Sequence, residues 1–488
     1  MAKSLEDRPV FKIVGLIWIF LETSLLAGNI FGFASLFSVL PGYGIYESRC
    51  KTISEKDISN QTVTITKDCK GQVDEYQLAF ALGIGFYNLP AVLIGIVIDL
   101  FGPRTLKLIG IVFHLIGWLS LALIRPGYDW LLSCHTIFTS VAQMCYDWLL
   151  SCHTIFTSVA QMCVLLSSFT ISGHFTKTRG LVSSLISGAQ LSGSVWYAIF
   201  QLLIDTKWIS LSTLSFIWAS FSILMLGSSI LFLDWRFKLS TKSNVTKSTD
   251  SEDVVISPSE DSLARHLTNP IFIVVTCFLG CLLLTVSYLP VVWFPWVMYL
   301  TGFNLKLANR FTSMYNMSAV LSIFISPIFG FMIDYKVQRG YSQRLLNVSM
   351  VQTLTWLGSI ALCIVCMFRT IAAPILAICI FVFSRTMLVT GCQAVITTMF
   401  PPQYIGTLLG VMWTVVAIIS FATYGLTRLA TSPLHVWRGW LVILLLCFVM
   451  VGHVIQLWSL YFKSKKQAKK QASLNEEQMQ SLQSSAYT

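Results

Sequence analysis

Apolar runs long enough to cross a bilayer follow one another along nearly the whole of this chain, and that succession constrains the fold more than any other feature. A helix crosses a hydrocarbon core about 30 Å thick with about 20 residues. Runs of that order fall at about 13–38, 77–98, 105–124, 129–171, 181–204 and 211–233, and again at about 271–299, 311–333, 345–368, 374–399, 406–428 and 437–462. The first is too long for a signal-peptide core and follows Glu6 and Asp7, so it reads as a retained span. Only 11% of the 488 residues are charged, about half the usual share of a soluble domain. That is too little charge to coat a water-facing surface, which excludes a soluble enzyme or signalling domain. The expected class is an all-α polytopic membrane protein with twelve transmembrane helices.

Charge placement sets the orientation. With the N-terminus inside, cytoplasmic segments hold 20 of the 33 Lys and Arg residues, among them Arg104, Lys107, Lys177, Arg179, Lys336, Arg339 and Arg344. The excess follows the positive-inside bias and predicts both termini in the cytoplasm. It also accounts for the net charge of +11 without nucleic acid as a partner. The segment 41–75 then lies outside, where Cys50 and Cys69 predict a disulfide-closed loop and the sequon at Asn60 predicts glycosylation. Two free thiols and an unused sequon are the alternative. Residues 235–268 are rich in Ser, Thr, Asp and Lys without apolar periodicity and read as a disordered cytoplasmic linker. The linker separates a six-helix bundle at 1–234 from a second at 269–462, with a cytoplasmic tail at 463–488.

Two repeats stand out. Residues 128–145 recur letter for letter at 146–163. Eighteen residues make five helical turns, so the copy preserves helix face while adding about 27 Å. A continuous helix over 128–171 would be about 66 Å long, twice the core thickness. Two separate spans would invert every later loop against the charge bias. The duplication, spanning 128–163, is therefore read as a passenger on one span. The second repeat is weaker: Gly95 precedes Asp99 at the end of the second span, as Gly330 precedes Asp334 at the end of the eighth. That recurrence marks a duplicated six-helix unit.

The pattern Gly95, Asp99, Gly102, Arg104 resembles the loop signature of the major facilitator superfamily. The resemblance implies two six-helix bundles and a cytoplasmic gate at Gly95, Asp99, Arg104, Gly330 and Asp334, with pairing of carboxylate and arginine. Leu100 and Tyr335 stand where a basic residue often follows the aspartate. Within the superfamily the chain is similar to solute carrier family 43, the facilitators for large neutral amino acids and for purine nucleobases. The segments that carry this likeness are Leu21-Glu22 with Gly28 and Gly32, the tract from Ser187 to Leu203, Ser384-Arg385-Thr386, and Phe400-Pro401 with Gly406 and Gly410. Ser384-Arg385 and the fifth-span tract lean toward the nucleobase member.

Fixed charges inside a span are costly and usually face a cavity or a partner. Glu22 and Arg385 fall about 14 and 17 Å deep by helix rise, near the midplane where such carriers hold substrate. The resemblance places both on cavity-lining spans, so they are expected to pair with each other or to engage substrate. Neutral candidates are Asn29, Asn88, His153, Gln190, Ser194, Tyr288 and Gln393, each also able to serve as an interhelical hydrogen-bond partner. Cys363 with Cys366 and Cys277 with Cys281 lack acidic or His neighbours, so no metal is expected. No cofactor is implied, and without a P-loop or nucleophile elbow neither ATP-driven transport nor enzymatic activity is expected. The sequence thus predicts a facilitative plasma-membrane carrier, expected as a monomer in the lipid bilayer, for a small-molecule substrate: a purine nucleobase or a large neutral amino acid. Proton-coupled symport and a non-transporting receptor with a carrier fold are the alternatives.

Overall fold

The computed structural model describes residues 9–56, 63–124, 135–175, 177–233, 263–401, 404–429 and 435–486. Asn60 and the linker before residue 263 lie outside the described residues. Eleven stretches there are long and apolar enough to cross a membrane. The remaining span, the fifth, is built from Arg179–Ser192, a tight turn Gly193–Val195 and Trp196–Asp205. Its lower hydropathy has a structural reason. Ser183, Ser184, Ser187, Gln190, Ser192 and Ser194 are all buried in it. A span walled in by other helices needs no lipid-facing apolar surface, and small residues let its neighbours approach closely. Lipid-type exposure lies elsewhere, at outward residues such as Leu93, Ile223, Phe324 and Ile455.

Several spans are broken. The first runs as Pro9–Leu26 and then as a tighter helix Asn29–Ser38, and the second as Lys70–Asn88 and Ala91–Phe101 around Pro90. The break in the first span lets it pass against the fifth at backbone distance. A Cβ on Gly28 or Gly32 would stand 1.8 Å from the carbonyl oxygen of Gln190 or Ser194, so only glycine fits there. At Pro90 the ring removes an amide donor, and the Thr414 hydroxyl of the eleventh span fills the gap. It lies 3.0 Å from the Leu89 carbonyl and accepts from the Val92 amide at 3.1 Å.

The two halves meet along a few pairs of spans. The second part of the second span, Ala91–Phe101, packs on the eleventh (Ile405–Ser420), and the fifth packs on the second part of the eighth (Ser322–Asp334) and on the tenth (Ala373–Met399). Two features go beyond expectation, a hairpin and a longer last helix, and the expected disulfide is present. The segment between the first two spans holds an antiparallel hairpin, Lys51–Lys56 with Val63–Asp68, whose second strand opens with four β-branched residues, Val63 to Thr66. A disulfide joins Cys50 to Cys69 at its base. The last helix does not stop at residue 462 but runs as Val451–Ala486, carried by Lys, Gln, Glu and Ala of high helix propensity.

The fourth span is one helix, His135–Phe169, continued by a tight turn Thr170–His174, and the membrane-length stretch, Trp148–His174, rests on the second copy of the repeat. It is the second copy that supplies the buried His153, Thr154, Thr157 and Gln161. Deleting 128–145 should therefore leave surface expression and uptake close to those of the full chain. Surface biotinylation alongside uptake checks this, and loss of surface protein on deletion would make the first copy structural.

Candidate functional site

Arg385 sits where the two halves face each other. Its guanidinium carbon lies 5.8 Å from the ring centre of Phe31 in the first span and 5.9 Å from that of Phe381 in the tenth. Tyr87 of the second span and Tyr315 in the first part of the eighth (Leu305–Ser318, which continues as Ser322–Asp334) both sense its charge. Tyr315 stacks on Trp293 at 4.7 Å and meets Phe381 at 5.1 Å. Among the described residues no carboxylate pairs with Arg385. A cation held over aromatic faces in low dielectric gains cation–π attraction but keeps its formal charge. It remains ready for an anionic or electron-rich partner.

Glu22 is not that partner. Its carboxylate lies 2.6 Å from Nζ of Lys107, and both side chains are fully buried. This corrects the first of the two expectations for Glu22 and Arg385, that they pair with each other, and adds Lys107 as a buried charge. Lys107 lies one turn inside the third span (Pro103–Ala122), on the same buried face as Gly110, His114 and Gly117. That spacing is visible in the sequence. Counting Lys107 with the loop charges hid it.

The neutral candidates divide into two groups. Gln190 donates to the Tyr87 hydroxyl at 2.7 Å, and Tyr87 in turn donates to the Ala27 carbonyl at 3.1 Å. The Gln190 carbonyl oxygen and the Asn29 carbonyl oxygen are buried without a hydrogen-bond partner. Asn29 donates to the Leu25 carbonyl at 2.9 Å across the break in the first span. These groups and Arg385 converge on Tyr87 and Phe31, whose rings lie 5.0 Å apart. Gln393 accepts from the Ser187 hydroxyl across the halves, and its amide nitrogen is unpartnered.

His153, Tyr288 and Ser194 do not converge on this place. The His153 ring faces the Gly117 carbonyl at 2.8 Å and the Tyr197 hydroxyl at 2.7 Å. A carbonyl can only accept, so Nδ1 carries the proton and Nε2 accepts from the tyrosine. Both nitrogens are committed within the N-terminal half. Tyr288 is buried against Trp440 at 5.1 Å, with its hydroxyl toward Val436 of the last span. Ser194 donates to the Leu191 carbonyl at 3.0 Å within its own turn. Asn88 likewise serves the break at Pro90, donating to the Ile84 carbonyl at 3.3 Å.

The gate residues gather at the opposite end of the bundle from the disulfide, in an arrangement other than the expected pairing of carboxylate and arginine. Asp99 accepts from the amides of Gly406 at 3.2 Å and Thr407 at 2.6 Å. Asp334 accepts from those of Gly180 at 3.1 Å and Leu181 at 2.7 Å. Each carboxylate therefore caps the open N-terminus of a helix in the other half, the eleventh span for Asp99 and the fifth for Asp334. Unpaired N–H groups and the helix dipole both favour a negative charge there. Gly95 and Gly330 make the approach possible: a Cβ would stand 2.2 Å from the Gly406 carbonyl oxygen in one case and 2.6 Å from the Leu181 Cα in the other. Arg104 instead donates to the carbonyls of Ser229 and Leu233, both at 2.8 Å, and of Ile230 at 3.0 Å, closing the C-terminal end of the sixth span (Ser222–Phe232). The capped amides could not be singled out from sequence, because every non-proline residue carries one.

Two helical halves, a midplane cation between them and reciprocal capping at one end define a membrane carrier. The profile of the Major Facilitator Superfamily matches residues 24–424, and the chain belongs to that family. It is 18% identical to the human Large neutral amino acids transporter small subunit 3, over 92% of this chain and 93% of that protein. Among solved structures it resembles a bacterial homologue of the iron transporter ferroportin in an outward-facing state (TM-score 0.57, 12% identity, 92% of this chain and 99% of that one). It also resembles a proton:xylose symporter (TM-score 0.57, 12% identity, 92% and 96%).

Two outcomes follow. Removing one member of a buried ion pair costs about 3–5 kcal/mol through the charge left behind. Glu22→Gln or Lys107→Met alone should therefore sharply reduce surface expression, and the double variant should restore most of it, read by surface biotinylation. Losing a charge-assisted cap costs about 1.5–3 kcal/mol, so Asp99→Asn or Asp334→Asn should shift the gate toward opening. A cysteine placed at Ser184, buried beneath Gly330, then becomes reactive to a polar thiol reagent in the Asn variants and stays protected otherwise.

Proposed function

We propose that this chain is a facilitative carrier that moves a small organic solute by alternating access, with purine nucleobases as its first substrate class. The observation that carries the reading is Arg385, a cation without a carboxylate partner among the described residues, facing aromatic rings from both halves. A purine offers π-faces to rings such as Phe31 and Tyr315, while its ring-nitrogen acceptors suit the N–H donors of a guanidinium. The chemistry of the same arginine supports large neutral amino acids as a second reading. A carboxylate would neutralise it, and the human relative is named for such substrates. Uniport is favoured over proton coupling because Glu22, the deep carboxylate, is already held by Lys107. The reciprocal caps at Asp99 and Asp334 then act as the latch that opens and closes once per cycle. In this reading the latch, both termini and the linker face the cytoplasm and Asn60 the outside of the plasma membrane, an orientation the charge bias supports. Glycosidase-sensitive sugar on Asn244 rather than Asn60 would reverse this orientation.

Uptake of labelled adenine and of labelled leucine, compared in one expressing cell line, is the direct test. Adenine uptake should exceed that of leucine and run down its gradient at every external pH tried. Arg385→Gln should reduce it at least tenfold with surface level retained. Leucine uptake alone would select the second reading, and failure of both in a well-expressed protein would remove the carrier reading.

A further inference from the structure

The last helix, Val451–Ala486, leaves the bundle at the end where Asp99 and Asp334 lie, because consecutive spans alternate direction and the second, eighth and twelfth share one sense. Burial divides this helix lengthwise. His453, Val454 and Leu457 are buried against the bundle, whereas Ile455 and Phe462 are exposed on the side that meets lipid. Trp458, Tyr461 and Phe462 then gather on it, with ring centres 5.2 to 6.0 Å apart. The Trp458 indole donates to the Thr353 hydroxyl of the ninth span (Tyr341–Met367) at 3.0 Å, which pins the group in place. Amphipathic rings at the end of a span mark the level of the headgroups. Lysines follow at once. Lys463, Lys465, Lys466 and Lys470 are all exposed, and Lys465 lies 5.7 Å over the Tyr461 ring. No carboxylate among the described residues pairs with any of the four.

The placement of these lysines is not even around the helix. At 3.6 residues per turn the four fall within about 160° of its circumference. Ile455, Phe462, Lys466 and Lys470 follow at spacings of seven, four and four, so the cationic stripe continues the lipid-facing side. Ser464, Gln467 and Ala468 fill the other side. A topology signal needs positive charge at this end of the span but not on one side of a helix. We infer that the stripe is a binding site for anionic phospholipid headgroups of the leaflet from which the helix emerges. The run from Lys463 to Lys470 rises about 10 Å, close to the depth of one headgroup layer. An ammonium on a flexible stem meets a phosphate from many directions, which suits mobile headgroups better than one rigid ligand. Lipids held there keep the last span at a fixed height while the two halves move.

The test titrates the full chain, purified in detergent, with phosphatidylcholine, phosphatidylserine and a phosphatidylinositol bisphosphate, and reads bound lipid by native mass spectrometry. Phosphatidylserine should bind more tightly than phosphatidylcholine, and the bisphosphate more tightly still. Each Lys→Gln change at 463, 465, 466 or 470 should weaken anionic binding about fivefold, equivalent to about 1 kcal/mol per lysine near the surface. The fourfold Gln variant should lose the preference while its phosphatidylcholine binding and melting temperature stay unchanged, and the fourfold Arg variant should keep the preference. Adding Ser464→Lys, Gln467→Lys and Ala468→Lys to the Gln variant returns charge to the other side and should not restore it. Equal affinity for the three lipids, an undiminished preference in the Gln variant, or recovery from the other side overturns the inference. Binding of polyglutamate without any lipid preference also overturns it, and assigns the stripe to an acidic protein segment instead.

Discussion

Two aspartates hold the halves of this molecule together, each by capping a helix that begins in the other half. The interaction depends on helix geometry: the first amides of a helix have no carbonyl behind them, and in a membrane water does not replace it. Asp99 and Asp334 supply the missing acceptors at the eleventh and fifth spans. Because helix association in lipid lacks the hydrophobic drive available in water, close backbone approach and polar contacts must do this work. The glycines one turn before each aspartate then become requirements, since a side chain at either position would push the capping carboxylate away from its amides. The same reasoning explains why the contact is suited to a gate. It joins the halves at one end, it is made of a few directional bonds, and breaking it exposes groups that water can satisfy.

Buried charge is arranged differently in the two places where it occurs. Glu22 and Lys107 neutralise each other inside the N-terminal half, where neither moves relative to the other when the halves rock. Such a pair adds no net charge to the span and is compatible with a rigid bundle. Arg385 lies between the halves without an acidic partner among the described residues and is softened only by aromatic faces. A fixed cation there is costly unless something arrives to match it. The contrast is between a charge matched inside one half and one placed between the halves, and the proposed substrate role rests on the second.

Much of the architecture was legible because membrane spans obey one length rule. The spans and the paired Gly–Asp motif could all be read from runs and spacing. The residues misjudged share a cause: depth can be counted along a helix, but facing cannot. His153 and Tyr288 lie at plausible depths and turn into their own halves, toward Tyr197 and Trp440. Lys107 was counted as a loop charge although its helical phase matches His114 and Gly117. The partners of Asp99 were unreadable for a deeper reason. They are backbone amides, and the sequence that selects them is the glycine that lets the helices touch.

The fifth span shows why a carrier tolerates so polar a helix. Its serines and Gln190 would penalise insertion into lipid, yet here they face the first, eighth and tenth spans. Several of these groups, Ser183, Ser184 and the Gln190 carbonyl among them, are buried without a partner, and so is Ser326 opposite. Unsatisfied hydroxyls destabilise the packed arrangement by about 1–3 kcal/mol each. Hydration on opening would return that energy. The closed end is thus held by the two aspartate caps and opposed by the hydroxyls they bury, so the two conformations can differ little in free energy. The proposed uniport mode requires that near balance, because in it only the substrate's gradient supplies the work of reopening.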